Sequence, residues 1–277
     1  MSAPAPAPDA AARTLLRGDL AFGVDFIPWT GGLVAVAEAP GARAAPARAT
    51  PEAFEPAPRG KAAPPPTAPA AVAVDASAGK AAALEALRRR HDAECVHCTT
   101  ATAHTNTVFG EGNPEARLMF VGEAPGETED RLGRPFVGRA GQKLDEMIQA
   151  MGLSRESVYI ANVLKSRPPD NRTPLPDEVA GCGPWLEAQI RIIRPQVLVT
   201  LGGPATKLLL GTETGITRLR GIWAEWRPAA EPGLTIPVMP TYHPAYLLRN
   251  YTLKTRQEVW SDLLQVKERL AAAASGG

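Results

Sequence analysis

The stretch GEAPGETED, Gly122 to Asp130, sets a Gly-Pro-Gly turn among four carboxylates, directly behind the apolar run RLMFV. Turn residues of this kind let backbone N–H groups approach a ligand closely, most often a phosphate. A phosphate alone would not sit among Glu123, Glu127, Glu129 and Asp130, so the ligand must call for a close backbone and an acid together. A carboxylate so placed can orient or deprotonate a water molecule, or face a developing positive charge. Asn162 ends the run SVYIAN and His243 stands in PTYHP, each again behind an apolar stretch. An amide presents a donor and an acceptor on one flat group, and an imidazole can donate into charge that grows during a reaction. The three cysteines are Cys95 and Cys98, in CVHC, and Cys182. An odd number in a chain this long is no disulfide framework, and the CxxC spacing more often holds a metal in a reducing compartment.

These residues need a scaffold that brings them to one place. RLMFVGE, SVYIANVL, PQVLVTLGG and TIPVMPTYHP each read as a short buried strand. Helical patterns separate or flank them: AAALEALRRRHDAE, GQKLDEMIQAMG, DEVAGCGPWLEAQIRIIRP, GPATKLLLG and KTRQEVWSDLLQVKERLAAAA. Apolar runs of strand length alternating with helical stretches indicate βαβ units, hence an α/β domain with a central parallel sheet flanked by helices. Open sheets of this kind bind ligands outside the carboxyl ends of their strands. That rule gathers the GEAPG turn, Asn162, the Gly202-Gly203 turn and His243 on one rim.

The α/β pattern occupies residues 81–277. Between 41 and 80, Ala and Pro supply more than half of the positions, with hardly any large apolar residues. Such a segment buries too little surface to offset its ordering entropy and reads as a disordered linker. Residues 1–40 form an N-terminal extension in which LLRGDLAFGVDFIPW is a possible docking segment for a protein partner. The formal net charge is +1 over 277 residues, so any nucleic-acid groove must be a local feature. No apolar run is long enough for a membrane span, and the N-terminus lacks a signal-peptide pattern. The expected location is the cytoplasm and the expected state a monomer.

Four segments in order, GEAPGETEDRLGRPFVGRAG, NVLKSRPPDNRTPLPDEVAGC, LVTLGGPAT and YHPAYLLR, together with CVHC, resemble the iron–sulfur uracil-DNA glycosylases, family four of the uracil-DNA glycosylase superfamily. The resemblance runs from about Cys95 to the last helix. It implies a three-layer fold and a monofunctional enzyme of base-excision repair, which flips uracil out of DNA and hydrolyses its N-glycosidic bond. It implies that Phe136 stacks on the uracil, that Asn162 reads its edge, and that His243 stabilises the departing base. Glu123 would position the attacking water, and Glu129 would crowd the C5 position of the base. The amides of Ala124 and Gly126 and the Gly202-Gly203 turn would hold the nucleotide and flanking phosphates. Leu247 and Leu248 would enter the duplex as wedges, with Arg249 on a phosphate.

The resemblance also implies a [4Fe–4S] cluster on four cysteines. Cys95, Cys98 and Cys182 match, but Ser166 stands at the remaining position. A serine oxygen binds iron only as an alkoxide, a poorer ligand than thiolate. The options are a cluster with serine or solvent at one iron, a three-iron cluster, or none; His97 and His104 could instead complete a zinc site. The alternative function is a catalytically weak or inactive DNA-damage-binding module of the same fold.

Overall fold

The computed structural model describes residues 72–73, 77, 79–101 and 104–275. The expected extension and nearly all of the expected linker lie outside the described residues. Six strands form one sheet: β1 (Glu111–Gly112), β2 (Leu118–Gly122), β3 (Tyr159–Asn162), β4 (Val197–Leu201), β5 (Ala224–Trp226) and β6 (Ile236–Thr241), in the order β1-β3-β2-β4-β6-β5. The four expected strands are its centre, and they run parallel. The short strands β1 and β5 extend the sheet at its two edges as antiparallel partners of β3 and β6.

The central strands are continuously apolar because both sheet faces are covered. Side chains alternate across the sheet, so Met119 and Val121 of β2 enter one core while Leu118 and Phe120 enter the other. The first core takes Leu84 and Leu87 from α1 (Lys80–Glu94) and Trp185, Leu186 and Ile190 from the long helix Pro176–Ile193. The second takes Leu144 and Ile148 from the helix Arg139–Ala150, and Val259, Trp260 and Leu263 from the C-terminal helix Leu253–Ser275.

Strand register fixes what meets at the carboxyl edge. Gly122 pairs with Asn162, and Leu201 pairs with Thr241, one residue before Gly202 and two before His243. Behind Gly122 the chain forms a short helix, Glu127–Leu132, and returns through Phe136, whose backbone lies in the left-handed region at φ 51. A phenylalanine there is strained and must be held by its surroundings. Val137 and Gly138 donate their N–H groups to Glu129 Oε1 at 2.9 and 2.7 Å, and Arg155 donates to the Phe136 carbonyl at 3.0 Å. Gly141 closes the clamp, since a Cβ at this position would stand 1.9 Å from the Phe136 carbonyl oxygen.

Gly141→Ala must therefore push the backbone of Phe136, not a flexible side-chain tip. The expected loss of stability is about 1–3 kcal/mol in urea unfolding, as for other overpacked sites. Stability equal to wild type would show that the loop relaxes freely and that Gly141 does not fix it.

Candidate active site

A cavity of about 460 Å³ opens at the carboxyl edge of the sheet. Its lining includes Glu123, Phe136, Asn162 and His243, together with the Ala124–Gly126 turn and the Gly202-Gly203 turn. Glu129 and Arg249 also reach it. Residues spread over more than 120 positions of the chain thus share one surface.

Two site side chains close over Gly122. A Cβ there would stand 2.3 Å from Asn162 Oδ1 and 2.5 Å from Phe136 Cζ, so only glycine lets the amide and the ring converge behind β2. The Asn162 side chain is buried, and its Oδ1 has no hydrogen-bond partner. A buried acceptor left open costs stability unless a ligand meets it. The backbone of Asn162 is fixed from behind, because Lys165 donates its ammonium to the Asn162 carbonyl at 2.7 Å and to Gln189 Oε1 at 2.6 Å. Lys165 is fully buried, which nothing in its sequence context predicts, since lysines at strand ends usually face water.

His243 caps the short helix Pro244–Arg249, and its Nδ1 accepts the backbone N–H of Ala245 at 3.1 Å. A backbone amide can only donate, so in the neutral ring the proton sits on Nε2. Burial pushes the His243 imidazole down to about pKa 4, with the positive charge of Arg249 acting in the same direction and Glu129 opposing it. The ring lies 5.6 Å from that of Phe136, tilted by 34°. The cavity wall is thus an aromatic face, an open amide and a neutral N–H donor. Burial also raises the pKa of Glu123 above the ordinary carboxylate range.

Several residues take other positions than the sequence predicts. Leu247 is fully buried in the second core, packed under the helix it belongs to, so it is no wedge. Leu248 is half-buried, while Tyr246 and Arg249 are exposed. Glu129 lines the cavity, but one of its oxygens is committed to the Val137 and Gly138 amides, so it braces the Phe136 loop. Asp130 is buried and accepts the N–H groups of Thr105 and Asn106 at 2.8 and 3.0 Å. Glu127 is exposed, as expected for a solvated turn acid. Missed by sequence reasoning are Asn171, Arg172 and Thr173, which line the cavity mouth from the NRTP segment. Arg172 is held there by a two-pronged contact with Glu178 at 2.7 and 2.8 Å.

On the other side of Lys165 the three cysteines converge, all buried and unbridged. Cys182 Sγ lies 3.9 Å from Cys95 Sγ and 3.7 Å from Cys98 Sγ. Ser166, the expected fourth position, is buried beside them and accepts from the Cys98 thiol at 3.5 Å. Three soft sulfur donors around one point fit a thiolate-bound metal. His97 is hydrogen-bonded to Ser166, its Nε2 3.0 Å from Ser166 Oγ. The imidazole grouped with the thiols is that of His91, whose ligating atom lies within 4.8 Å of the Cys95 and Cys98 sulfurs. It stands four residues before Cys95, the residue that ends α1.

The sequence pattern of the Uracil DNA glycosylase superfamily matches residues 109–264, which span every element around the cavity. A Type-4 uracil-DNA glycosylase of Thermotoga maritima is 47% identical over 175 residues, covering 63% of this chain and 88% of the relative. One from Archaeoglobus fulgidus is 44% identical over 63% of this chain and 87% of its own length, and one from Saccharolobus solfataricus 43% over 65% and 83%. Fold, cavity and relatives agree, and the chain belongs to the uracil-DNA glycosylase superfamily, alongside its type-4 members.

Proposed function

We propose that this protein removes uracil from DNA by hydrolysing the N-glycosidic bond of a flipped deoxyuridine, leaving an abasic site and free uracil. The observation that carries this reading is the cavity wall itself: Phe136, Asn162 and His243 present a flat ring, an unpartnered amide and a neutral N–H donor to one space.

The roles follow from those groups. The base slides against Phe136, whose π-face holds a flat ring without reading it. The Asn162 amide can match uracil O4 and N3–H and mismatches cytosine, where the donor and acceptor exchange places. As the glycosidic bond breaks, its electron pair goes to uracil N1 and spreads to O2. Nε2–H of His243, already neutral and aimed, stabilises that charge without reorganising. Water attacks C1′ and its proton passes to Glu123 or to solvent, while the carboxylate faces the cationic sugar. Arg249 and the Ala124, Gly126, Gly202 and Gly203 backbones hold the flanking phosphates, and Leu248 in place of Leu247 enters the stack.

Cys95, Cys98 and Cys182 would hold an iron–sulfur cluster, of the [4Fe–4S] kind, away from the reacting bond. When bound, its thiolate–iron bonds tie α1 and the Cys98 turn to the helix that carries Cys182, a structural contribution. Reduced thiols suit the cytoplasm. Among the described residues no helix is long and apolar enough to cross a membrane.

Uracil release from a labelled single-uracil oligonucleotide tests the function. Wild type is expected to release uracil, and His243→Ala to lower kcat by about 10²–10³, the usual cost of one transition-state donor. Well-folded wild type that binds the oligonucleotide and releases nothing would instead establish a binding module.

The tautomer has its own check in the ring nitrogen resonances of His243. With its pKa near 4, the folded-state ring is expected to stay neutral, with the proton on Nε2, from pH 8 down to about 5. Because its pKa is lowered on folding, protonation as the pH falls through 6.5 towards 4 works against the folded state, and acid unfolding should begin earlier than in His243→Gln. Titration of the ring near 6.5 in the native protein would contradict this.

A further inference from the structure

The metal centre has three thiols, and the serine that stands where a fourth would be is a poor substitute. Ser166 must lose a proton of high pKa to become a ligand, and its oxygen is already engaged by His97 Nε2 at 3.0 Å. A better donor stands close to two of the thiols. His91 is fully buried, on the last turns of α1, and its Nε2 has no hydrogen-bond partner. Its Nδ1 is held at 2.9 Å by Asp92 Oδ1, which in turn accepts from Thr107 Oγ1 at 2.9 Å. A carboxylate can only accept when ionised, so the ring donates through Nδ1, and in its neutral form the Nε2 lone pair is free. That arrangement, a carboxylate fixing the far nitrogen of a buried imidazole, is how metal-bound histidines are oriented. A ring nitrogen of His91 lies within 4.8 Å of both the Cys95 and Cys98 sulfurs, and Cys182 Sγ stands 3.9 and 3.7 Å from those two.

We infer that His91 is the fourth protein ligand of the metal centre, completing a Cys95, Cys98, Cys182 and His91 set, with Ser166 left outside it as a hydrogen-bonded neighbour. Imidazole is an established substitute for thiolate at iron–sulfur iron, and at zinc. As a ligand the ring is neutral and gives its Nε2 electron pair to the metal, while the three thiols and any charged His91 ring release their protons to solvent. With one neutral ligand in place of an anionic one, the centre carries one less negative charge. Trp185 and Phe109 pack against the ring at 5.3 and 5.5 Å and shield it from water. The identity of the metal rests on the reading above; the ligand assignment does not, and the two fail separately.

The test uses the full chain, purified without oxygen after growth with ¹⁵N-histidine, with iron, sulfide and zinc measured first. In iron-loaded protein reduced with dithionite, pulsed EPR is expected to show a ¹⁵N nucleus bound directly to the cluster. The coupling should persist in the His97→Gln, His104→Gln double variant and in Ser166→Ala. It should vanish in His91→Cys, which keeps its iron through a fourth thiolate. The double variant alone decides the point if His91→Cys does not fold. Iron-loaded wild type without the nitrogen coupling, a coupling lost in the double variant, or a spectrum altered in Ser166→Ala would overturn the assignment. If the chain carries zinc and no iron, the cluster reading fails. Absorption at the zinc edge then supports His91 with three sulfurs and one nitrogen, becoming four sulfurs in His91→Cys; a shell without nitrogen overturns it. A folded chain that binds neither metal overturns both.

Discussion

The site is built in the space that one missing side chain leaves. At Gly122 the strand β2 ends without a Cβ, and the Asn162 amide and the Phe136 ring close over that point to distances no other residue allows. The rest of the architecture serves this contact. Parallel pairing brings Asn162 beside Gly122, and the next strand pair delivers Gly202 and His243 to the same edge. The Phe136 backbone is then bent into the left-handed region, and Glu129, Arg155 and Gly141 hold it there. Strain at Phe136 is the local cost of a ring that reaches the cavity from within the second core, and it is borne by three unrelated segments.

Electrostatics follow from the same enclosure. The carboxyl edge of the sheet buries Asn162 Oδ1 without a partner and lowers the proton affinity of His243. Each is unfavourable in the empty protein and each is relieved by a base with an acceptor and a donor on its edge. Behind the wall, Lys165 joins the two polar centres of the molecule, with its ammonium on the Asn162 carbonyl and its neighbour Ser166 beside the thiols. A metal centre that ties α1 to the helix carrying Cys182 would therefore also stiffen the floor under Asn162.

Much of this was legible from residue order. The four parallel strands announced themselves as short continuous apolar runs, because burial on both faces leaves no polar alternation to confuse the pattern. The edge strands did not: Glu111–Gly112 and Ala224–Trp226 are short and half-exposed, and only tertiary pairing defines them. Cavity residues at strand ends were found because topology alone puts them there. Leu247 was misplaced, and the bracing contact of Glu129 was missed, for a common reason. A six-residue helix turns one leucine inward and its neighbour outward, and a carboxylate in a turn can cap a loop as readily as face a ligand, and neither choice is written in the local sequence. His91 was passed over because it sits in an ordinary helical pattern. Its meaning appears only when the orphaned nitrogen is seen against the sulfurs.

The most direct measurement is a crystal structure of the protein soaked with free uracil. The account requires the pyrimidine flat on Phe136, its O4 and N3 on the Asn162 amide and its O2 within hydrogen-bond distance of His243 Nε2. Uracil bound with His243 turned to solvent, or settled on another surface while this cavity stays filled with water, would contradict it.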